Sequence, residues 1–289
     1  MTNRWLIGAQ LVLPSLVLAA LVLPLLTLAL QAAPAQARPI CTVIMRADSG
    51  ERLVEDGDCT SRVTPASTFK IALSLMGFDA GILTGPHAPV WPYRPGYVAW
   101  GGAAWTQDTD PDRWMTHSVV WYSQQITRAL GMERLQRYAT AFRYGNADMS
   151  GDAGADNGLD RAWIGSSLTI SPREQVAFLA DLVKGRLPVS AEAHAMTRRL
   201  LERTSPGDGW TIAGKTGAAL PRRPDGGLDR GRGWGWYVGW ARRGDETLVF
   251  ATLAQDDPAE AGGPATGSPG KRRRDAFLQA WPTLIAGRP

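Results

Sequence analysis

The stretch Thr64-Pro65-Ala66-Ser67-Thr68-Phe69-Lys70 decides how the rest of the chain is interpreted. Proline suits the first turn of a helix and a preceding threonine can cap it, so the stretch predicts a helix over 65–79. In a helix, Ser67 and Lys70 lie three residues apart and share one face. The apolar residues around Lys70 predict a poorly hydrated setting, which disfavours its ammonium form. A neutral amine beside a serine hydroxyl pairs a base with a nucleophile, although a Ser-x-x-Lys tetrad also arises by chance.

Composition limits the classes of protein to which the chain can belong. Its 289 residues suffice for one large domain or two small ones, and 44% of them are hydrophobic, which allows a sizeable core. The 31 basic and 27 acidic residues leave a net charge of +4 that is spread over short clusters. Because no basic stripe is interleaved with aromatic residues, nucleic acid is not an expected partner. The three histidines, His87, His117 and His194, stand apart in the sequence, so no metal site is expected.

The N-terminus has the pattern of an export signal. Arg4 precedes a nearly continuous apolar run from Leu6 to Leu30, and Ala35-Gln36-Ala37 is typical of a cleavage site. We therefore predict a signal peptide over 1–37, cleavage after Ala37 and a mature periplasmic domain over 38–289. The run is also long enough to span a bilayer, so a retained anchor is the alternative. Either way, contact with the membrane is expected only through this segment.

Two cysteines flank a predicted β-hairpin over 38–60. Cys41 and Cys59 stand nearly opposite each other about a turn near Ser49-Gly50. Cross-strand neighbours are close enough for a disulfide, which suits an exported protein. A bridge that closes a loop of this size stabilises a fold by about 3 kcal/mol in the chain-entropy model. Two buried free thiols are the alternative.

The order of predicted elements indicates the fold class. Beyond the hairpin and the helix over 65–79, periodicity predicts helices over 118–130, 132–142, a stretch from Ser171, 191–203 and 274–284. Strands are predicted over 211–217, 235–240 and 247–253. Strands at both ends and helices between them favour an α/β (α+β) architecture. We expect one antiparallel sheet flanked by terminal helices, with an inserted helical lobe.

Three short motifs follow in order: Ser67-x-x-Lys70, Ser118-x-Val120 and Lys215-Thr216-Gly217. Serine enzymes that open β-lactams use such a trio, although class A enzymes have Ser-Asp-Asn where this chain has Ser-Val-Val. Tyr144-Gly145-Asn146 and the stretch beginning Trp163-Ile164-Gly165 complete a set of five. With these motifs the chain closely resembles the class D (OXA-type) serine β-lactamases, over about residues 39–285.

The resemblance implies roles for four residues. Ser67 would be the nucleophile that forms an acyl-enzyme, and Lys70 would react with carbon dioxide to give a carbamate that acts as base. Trp163 would donate its indole N–H to that carbamate. Ser118 would pass a proton to the departing ring nitrogen. No cofactor other than carbon dioxide or bicarbonate is implied.

The substrate would be a small β-lactam held along a strand. Lys215 and Thr216 would lie on an edge strand, and Gly217 would let the substrate approach the backbone. The backbone N–H groups of Ser67 and Ala218 would form the oxyanion hole. An arginine at the start of the last helix would bind the substrate carboxylate. Among Lys271-Arg272-Arg273-Arg274, the spacing to Phe277 and Trp281 favours Arg274, with Arg272 as the runner-up.

Two rival functions stay open. A penicillin-binding transpeptidase or carboxypeptidase shares the nucleophile, the lysine and the Lys-Thr-Gly motif. A membrane-anchored β-lactam sensor would be acylated and stay acylated. The stretch around Trp163 argues against the first, and the sequence has no signalling domain for the second. The sequence leaves open the range of β-lactams, carbapenems included, and whether the protein is a monomer or a homodimer.

Overall fold

Strands from both ends of the chain form one antiparallel sheet. The computed structural model describes residues 1–2, 37–257 and 267–286, and the residues described from 37 onward belong to one compact unit. Within the described ranges, the sheet has six strands in the order β2-β1-β6-β5-β4-β3. The strands are β1 (Arg38–Arg46), β2 (Arg52–Gly57), β3 (Glu202–Gly207), β4 (Trp210–Ala219), β5 (Trp234–Arg243) and β6 (Glu246–Gln255). This confirms the predicted antiparallel sheet and its strands at both ends.

Helices cover both faces of the sheet. They are α1 (Lys70–Asp79), α2 (Pro111–His117), α3 (Val120–Leu130), α4 (Met132–Ala141), α5 (Gly158–Arg161), α6 (Pro172–Val183), α7 (Ala191–Leu200) and α8 (Pro269–Ile285). The predicted start of α6 is confirmed by a capping box, in which Ser171 and Glu174 satisfy each other's backbone N–H groups.

Alternation along the strands separates two cores. Tyr237 and Phe250 face α8, where Phe250 stacks on Phe277 with ring centroids 4.5 Å apart. Val238 and Trp240 face the opposite side, against the larger core formed with the helical lobe. Because both faces are covered, the central strands β5 and β6 are buried over most of their length.

The helix that carries the Ser-x-x-Lys motif begins differently from the prediction. A 3₁₀ turn over Ala66–Phe69 precedes α1, and Ala66 has a left-handed φ of +51°. Thr64 does not cap the turn, because its hydroxyl donates to the backbone carbonyl of Trp163 instead. The predicted threonine cap is therefore wrong, although the helix itself is confirmed.

Three other element boundaries differ from the sequence-based prediction. The helix predicted over 191–203 ends at Leu200, because β3 follows and pairs with β4. The closing helix begins at Pro269, capped by the Ser268 hydroxyl. Ser118 lies outside α3, in a left-handed conformation that ends α2.

The predicted disulfide is present between Cys41 and Cys59. The hairpin register places Cys41 opposite Gly57, so Cys59 lies just beyond β2 and is not a cross-strand partner. The predicted signal peptide lies almost entirely outside the described residues. In the part of the chain that is described, no helix is long and apolar enough to cross a bilayer.

Candidate active site

A cavity of about 410 Å³ opens where the 3₁₀ turn, the α2–α3 junction and the end of β4 meet. Most of the residues singled out from the sequence line this cavity. They are Ser67, Ser118, Trp163, Thr216, Gly217 and Ala218. Ser268 and Lys271, at the start of α8, line it as well.

The Ser67–Lys70 pair lies at the base of this cavity. Lys70 is 0% exposed, and its Nζ lies 3.5 Å from the Ser67 Oγ. Burial holds the pKa of Lys70 well below 10.5, and the nearby charge of Lys215 lowers it further. The amine is therefore poised to be neutral beside a hydroxyl that is only half-buried.

Ser118 and Lys215 form a second polar pair, and Ser118 lines the same cavity as Ser67. The Lys215 Nζ donates to the Ser118 Oγ and, over 3.3 Å, to the Thr216 carbonyl. Burial lowers the pKa of Lys215 to about 8, even though Glu202 opposes the shift. Ser118 has a left-handed φ of +57° where α2 ends, and its hydroxyl accepts from this lysine.

The Lys-Thr-Gly motif lies on β4, which is not the edge strand that we predicted. The edge strand is β3, but its pairing with β4 stops at Gly214. Residues 215–219 therefore have no strand partner on the pocket side. Packing explains why position 217 is a glycine, since a Cβ added there would lie 2.9 Å from the Pro65 carbonyl oxygen.

Trp163 is fixed against the 3₁₀ turn by backbone contacts. It is 1% exposed and stacks on Phe69 with centroids 5.5 Å apart. Its carbonyl accepts from the Thr64 hydroxyl (2.8 Å) and from the Ala66 N–H (3.1 Å). The Gly165 N–H donates to the same hydroxyl (3.0 Å). The backbone of Trp163 thus holds the residue in place, and Trp163 itself lines the cavity.

Thr64 thus holds the Trp163 loop against the nucleophile turn, a role that the sequence analysis did not predict. Its hydroxyl joins two segments that are about a hundred residues apart, and its carbonyl accepts from the Trp236 indole N–H (3.0 Å). Only its closeness to Ser67 in the sequence could have drawn attention to it.

The Tyr144-Gly145-Asn146 stretch braces the loop that carries Trp163. The Asn146 side chain donates to the Ser167 carbonyl (2.8 Å) and accepts from the Thr169 N–H (3.0 Å). The buried ring of Tyr144 meets Phe69 edge-on at 5.4 Å. The stretch therefore has a structural part in holding the site together.

Neither predicted carboxylate-binding arginine lines the cavity. Arg272 pairs with Asp256 at 2.6 Å, and Arg274 reaches Glu202 at 3.5 Å. Lys271 is the residue of the basic run that the cavity includes. Across the described ranges, no cluster of histidine, cysteine and carboxylate groups is arranged to hold a metal ion.

Comparison with known proteins identifies the family. Residues 40–272 match the model of the penicillin-binding-protein transpeptidase domain. The β-lactamase OXA-9 of Klebsiella pneumoniae is 40% identical over 249 residues, which cover 86% of this chain and 89% of that protein. The crystal structure of the class D β-lactamase OXA-427 superimposes with a TM-score of 0.77 at 43% identity, covering 85% of this chain and 98% of that one. The chain belongs to the class D β-lactamases.

The class D fold is shared with a receptor. The regulatory protein BlaR1 of Bacillus licheniformis is 30% identical over 213 residues, which cover 72% of this chain but 32% of that protein. The C-terminal domain of the BlaR penicillin receptor superimposes with a TM-score of 0.69 at 24% identity, covering 84% of this chain and 89% of that one, which is a likeness of fold alone. Membership of class D therefore identifies the fold and the family, and the chemistry has to be argued from the site.

Proposed function

We propose that this class D protein hydrolyses β-lactams through an acyl-serine intermediate on Ser67. The observation that carries the proposal is the fully buried Lys70, whose lowered pKa supplies a neutral amine 3.5 Å from the Ser67 hydroxyl. A nucleophile beside a base in a cavity of this size is the arrangement that acyl transfer requires.

In the acylation step, the Ser67 Oγ attacks the lactam carbonyl carbon and its proton passes to the Lys70 side chain. The ring C–N bond then breaks, and the departing nitrogen takes a proton through the Ser118 hydroxyl. Lys215, hydrogen-bonded to Ser118 and with a pKa of about 8, can replace that proton. Before deacylation, the proton that Lys70 took from Ser67 passes to solvent, and Lys215 regains a proton from solvent. A water then attacks the ester carbonyl and gives its proton to the Lys70 side chain. The ester C–O bond breaks as the Ser67 Oγ takes that proton from Lys70, which restores both residues.

We also propose that Lys70 acts as a carbamate formed with dissolved carbon dioxide. Only a neutral amine adds carbon dioxide, and burial provides that form. An anion in this apolar setting needs hydrogen-bond donors. Two groups fit: the Ser67 hydroxyl, which already contacts Lys70, and the indole N–H of Trp163, which lines the same cavity as Ser67. The carbamate would supply a carboxylate-like proton acceptor for both half-reactions.

Substrate binding is proposed along β4. The backbone N–H groups of Ser67 and Ala218 would stabilise the oxyanion. In such sites, each donor lowers the activation free energy by about 3 kcal/mol. Lys215, Thr216 and Lys271 would meet the substrate carboxylate. Lys271 takes the place that we had assigned to Arg274 or Arg272, because it lines the cavity and they do not.

Hydrolysis of a chromogenic cephalosporin, with and without added bicarbonate, tests the proposal. Steady turnover that rises with bicarbonate supports it. The Ser67→Ala variant is expected to lose acylation entirely. The Trp163→Ala variant is expected to acylate but turn over slowly, and normal turnover by that variant would contradict the role given to Trp163.

The likeness to the BlaR receptor domain keeps one other function in view. A sensor, like a transpeptidase, would give a single stoichiometric burst of product and then stop. Such a burst, unchanged by bicarbonate, would replace the hydrolase proposal.

We propose in addition that residues 1–37 direct export to the periplasm and are removed. Cleavage after Ala37 would leave β1 whole, since it begins at Arg38. Mass spectrometry of protein purified from the periplasm, with Arg38 as its first residue, would support this, and a product that keeps the apolar segment would refute it. Gel filtration with light scattering distinguishes the monomer from the homodimer.

A further inference from the structure

Four arginines surround a second cavity that the proposed reaction does not use. This cavity of about 280 Å³ is lined by Arg198, Arg199, Arg203 and Arg242, together with small residues and Trp240. We call it the arginine cavity. It lies between the C-terminal end of α7 and the face of the sheet that carries the helical lobe.

The sheet register explains how the cavity forms. Arg203, Ala213 and Trp240 are cross-strand neighbours on β3, β4 and β5, and they form one row. Thr211 and Arg242 form the next row on the same face, because they lie two residues further along their strands. Since the β4 residues of the two rows, Ala213 and Thr211, are small, space is left between the sheet and the end of α7. The cavity is therefore built by the fold and does not depend on one side-chain rotamer.

The charges around the cavity are unbalanced. None of the four arginines forms an ion pair with a described residue, whereas most other described arginines do. Arg198 and Arg242 line the same cavity, and besides burial the charge of Arg242 lowers the pKa of Arg198. The one carboxylate on α7, Glu192, lies almost two turns from Arg199.

Capping of α7 accounts for one of these arginines only. The Arg203 guanidinium donates to the carbonyls of Arg198 and Arg199, which are orphan acceptors at the helix end. The Arg198 side chain makes one long contact of 3.5 Å, to the Leu182 carbonyl. For the side chains of Arg199 and Arg242, the described residues provide no hydrogen-bond acceptor. Three cations thus converge with most of their donors available.

We propose that the arginine cavity binds a phosphate group carried on a larger molecule. Several guanidinium groups around one space match a tetrahedral dianion, whose oxygens accept paired N–H donors. A single carboxylate would neutralise one of the cations, whereas a phosphomonoester or diphosphate would neutralise two or more. The phosphate group could belong to a soluble phosphate ester or to a phospholipid headgroup, which present the same chemistry to the arginines.

Calorimetric titration of the full-length protein with inorganic pyrophosphate tests the proposal. The double variant Arg199→Gln/Arg242→Gln is expected to bind at least about tenfold more weakly, since hydrogen bonds to charged groups are lost. Arg186→Gln is the matched control, because Arg186 is also exposed and its side chain forms no hydrogen bond or ion pair with a described residue. Arg203 is left unchanged, since its loss would also uncap α7.

Two further measurements separate this cavity from the candidate active site and identify the source of the phosphate. Inhibition of cephalosporin hydrolysis by pyrophosphate should be the same for the double variant and the wild type, because the candidate active site is intact in both. Binding to vesicles of anionic phospholipid that the double variant loses would assign a lipid headgroup. Binding of pyrophosphate without vesicle binding would assign a soluble ester. No saturable binding by the wild type, or equal affinity in the double variant, would overturn the proposal.

Discussion

Replacing Thr64 with valine tests whether the Trp163 loop is held by a single hydroxyl. Valine keeps the shape of threonine, and Thr64 is only 3% exposed, so the change removes a polar group without opening a cavity. Two hydrogen bonds are lost, one to the Trp163 carbonyl and one from the Gly165 N–H.

The free-energy cost can be worked out bond by bond. The Trp163 carbonyl still accepts from the Ala66 N–H in the variant. Removing its hydrogen bond from Thr64 therefore costs about 1 kcal/mol, the net contribution of one hydrogen bond. The Gly165 N–H loses the acceptor that Thr64 provides, and because Gly165 is half-buried the penalty lies at the low end, about 1 kcal/mol. We expect Thr64→Val to lower the free energy of unfolding by about 2 kcal/mol in total.

The same variant should also loosen the indole that is proposed to hold the carbamate. We therefore expect the bicarbonate concentration for half-maximal turnover to rise, and deacylation to slow more than acylation. Urea unfolding and cephalosporin kinetics across a bicarbonate series measure the two effects. Thr64→Ser keeps the hydroxyl and serves as the control. The reasoning fails if the valine variant unfolds within about 0.5 kcal/mol of the wild type and shows an unchanged bicarbonate response.

Three other predictions follow from the site. Gly217→Ala puts a methyl group 2.9 Å from the Pro65 carbonyl oxygen and should cost about 1–3 kcal/mol in urea unfolding together with a loss of turnover, whereas Gly85→Ala, with nothing within 4 Å, should not. In buffer free of bicarbonate, folded Lys70 binds fewer protons than unfolded Lys70 below pH 10.5, so its contribution to stability grows with pH. Lys70→Met should flatten the dependence of unfolding free energy on pH by up to about 1.4 kcal/mol per pH unit, and an unchanged slope would contradict a neutral buried amine. Lys271→Ala should raise KM for a penicillin roughly tenfold, while Arg274→Ala should leave it nearly unchanged; the reverse result would restore the arginine assignment.

Elements with a strong apolar pattern were predictable from the sequence. The strands β5 and β6 carry long apolar runs, and α6 begins with a complete capping box, so local sequence and tertiary burial favour the same structure. The edge strand β3, with the sequence Glu-Arg-Thr-Ser-Pro-Gly, has no such pattern. This segment forms a strand because its backbone pairs with β4, and the local sequence carries no signal for that pairing.

The candidate site was predictable where motifs fix spacing along one element, and less so where the fold brings segments together. Ser67 and Lys70 share one short helical segment, so their contact followed from spacing. The left-handed conformation of Ser118 and the bonds of Thr64 to the loop about a hundred residues away depend on tertiary structure. Neither has a local signal in the sequence.

In the basic run at the start of α8, the spacing argument and the cavity favour different residues. Successive residues of a helix point about 100° apart, so the four cations of the run face four different directions. Arg274 shares a stripe with Phe277 and Trp281, and that stripe packs on the sheet, where Arg274 meets Glu202 at the end of β3. The start of α8 lies against β4, since a Cβ added to Gly270 would lie 2.4 Å from the Gly217 carbonyl oxygen. A residue that faces the pocket must therefore be near this helix start and outside the buried stripe. Lys271 meets this condition, because it lines the cavity. Its ammonium group can bind a carboxylate as a point charge, whereas an arginine would bind it through two parallel hydrogen bonds.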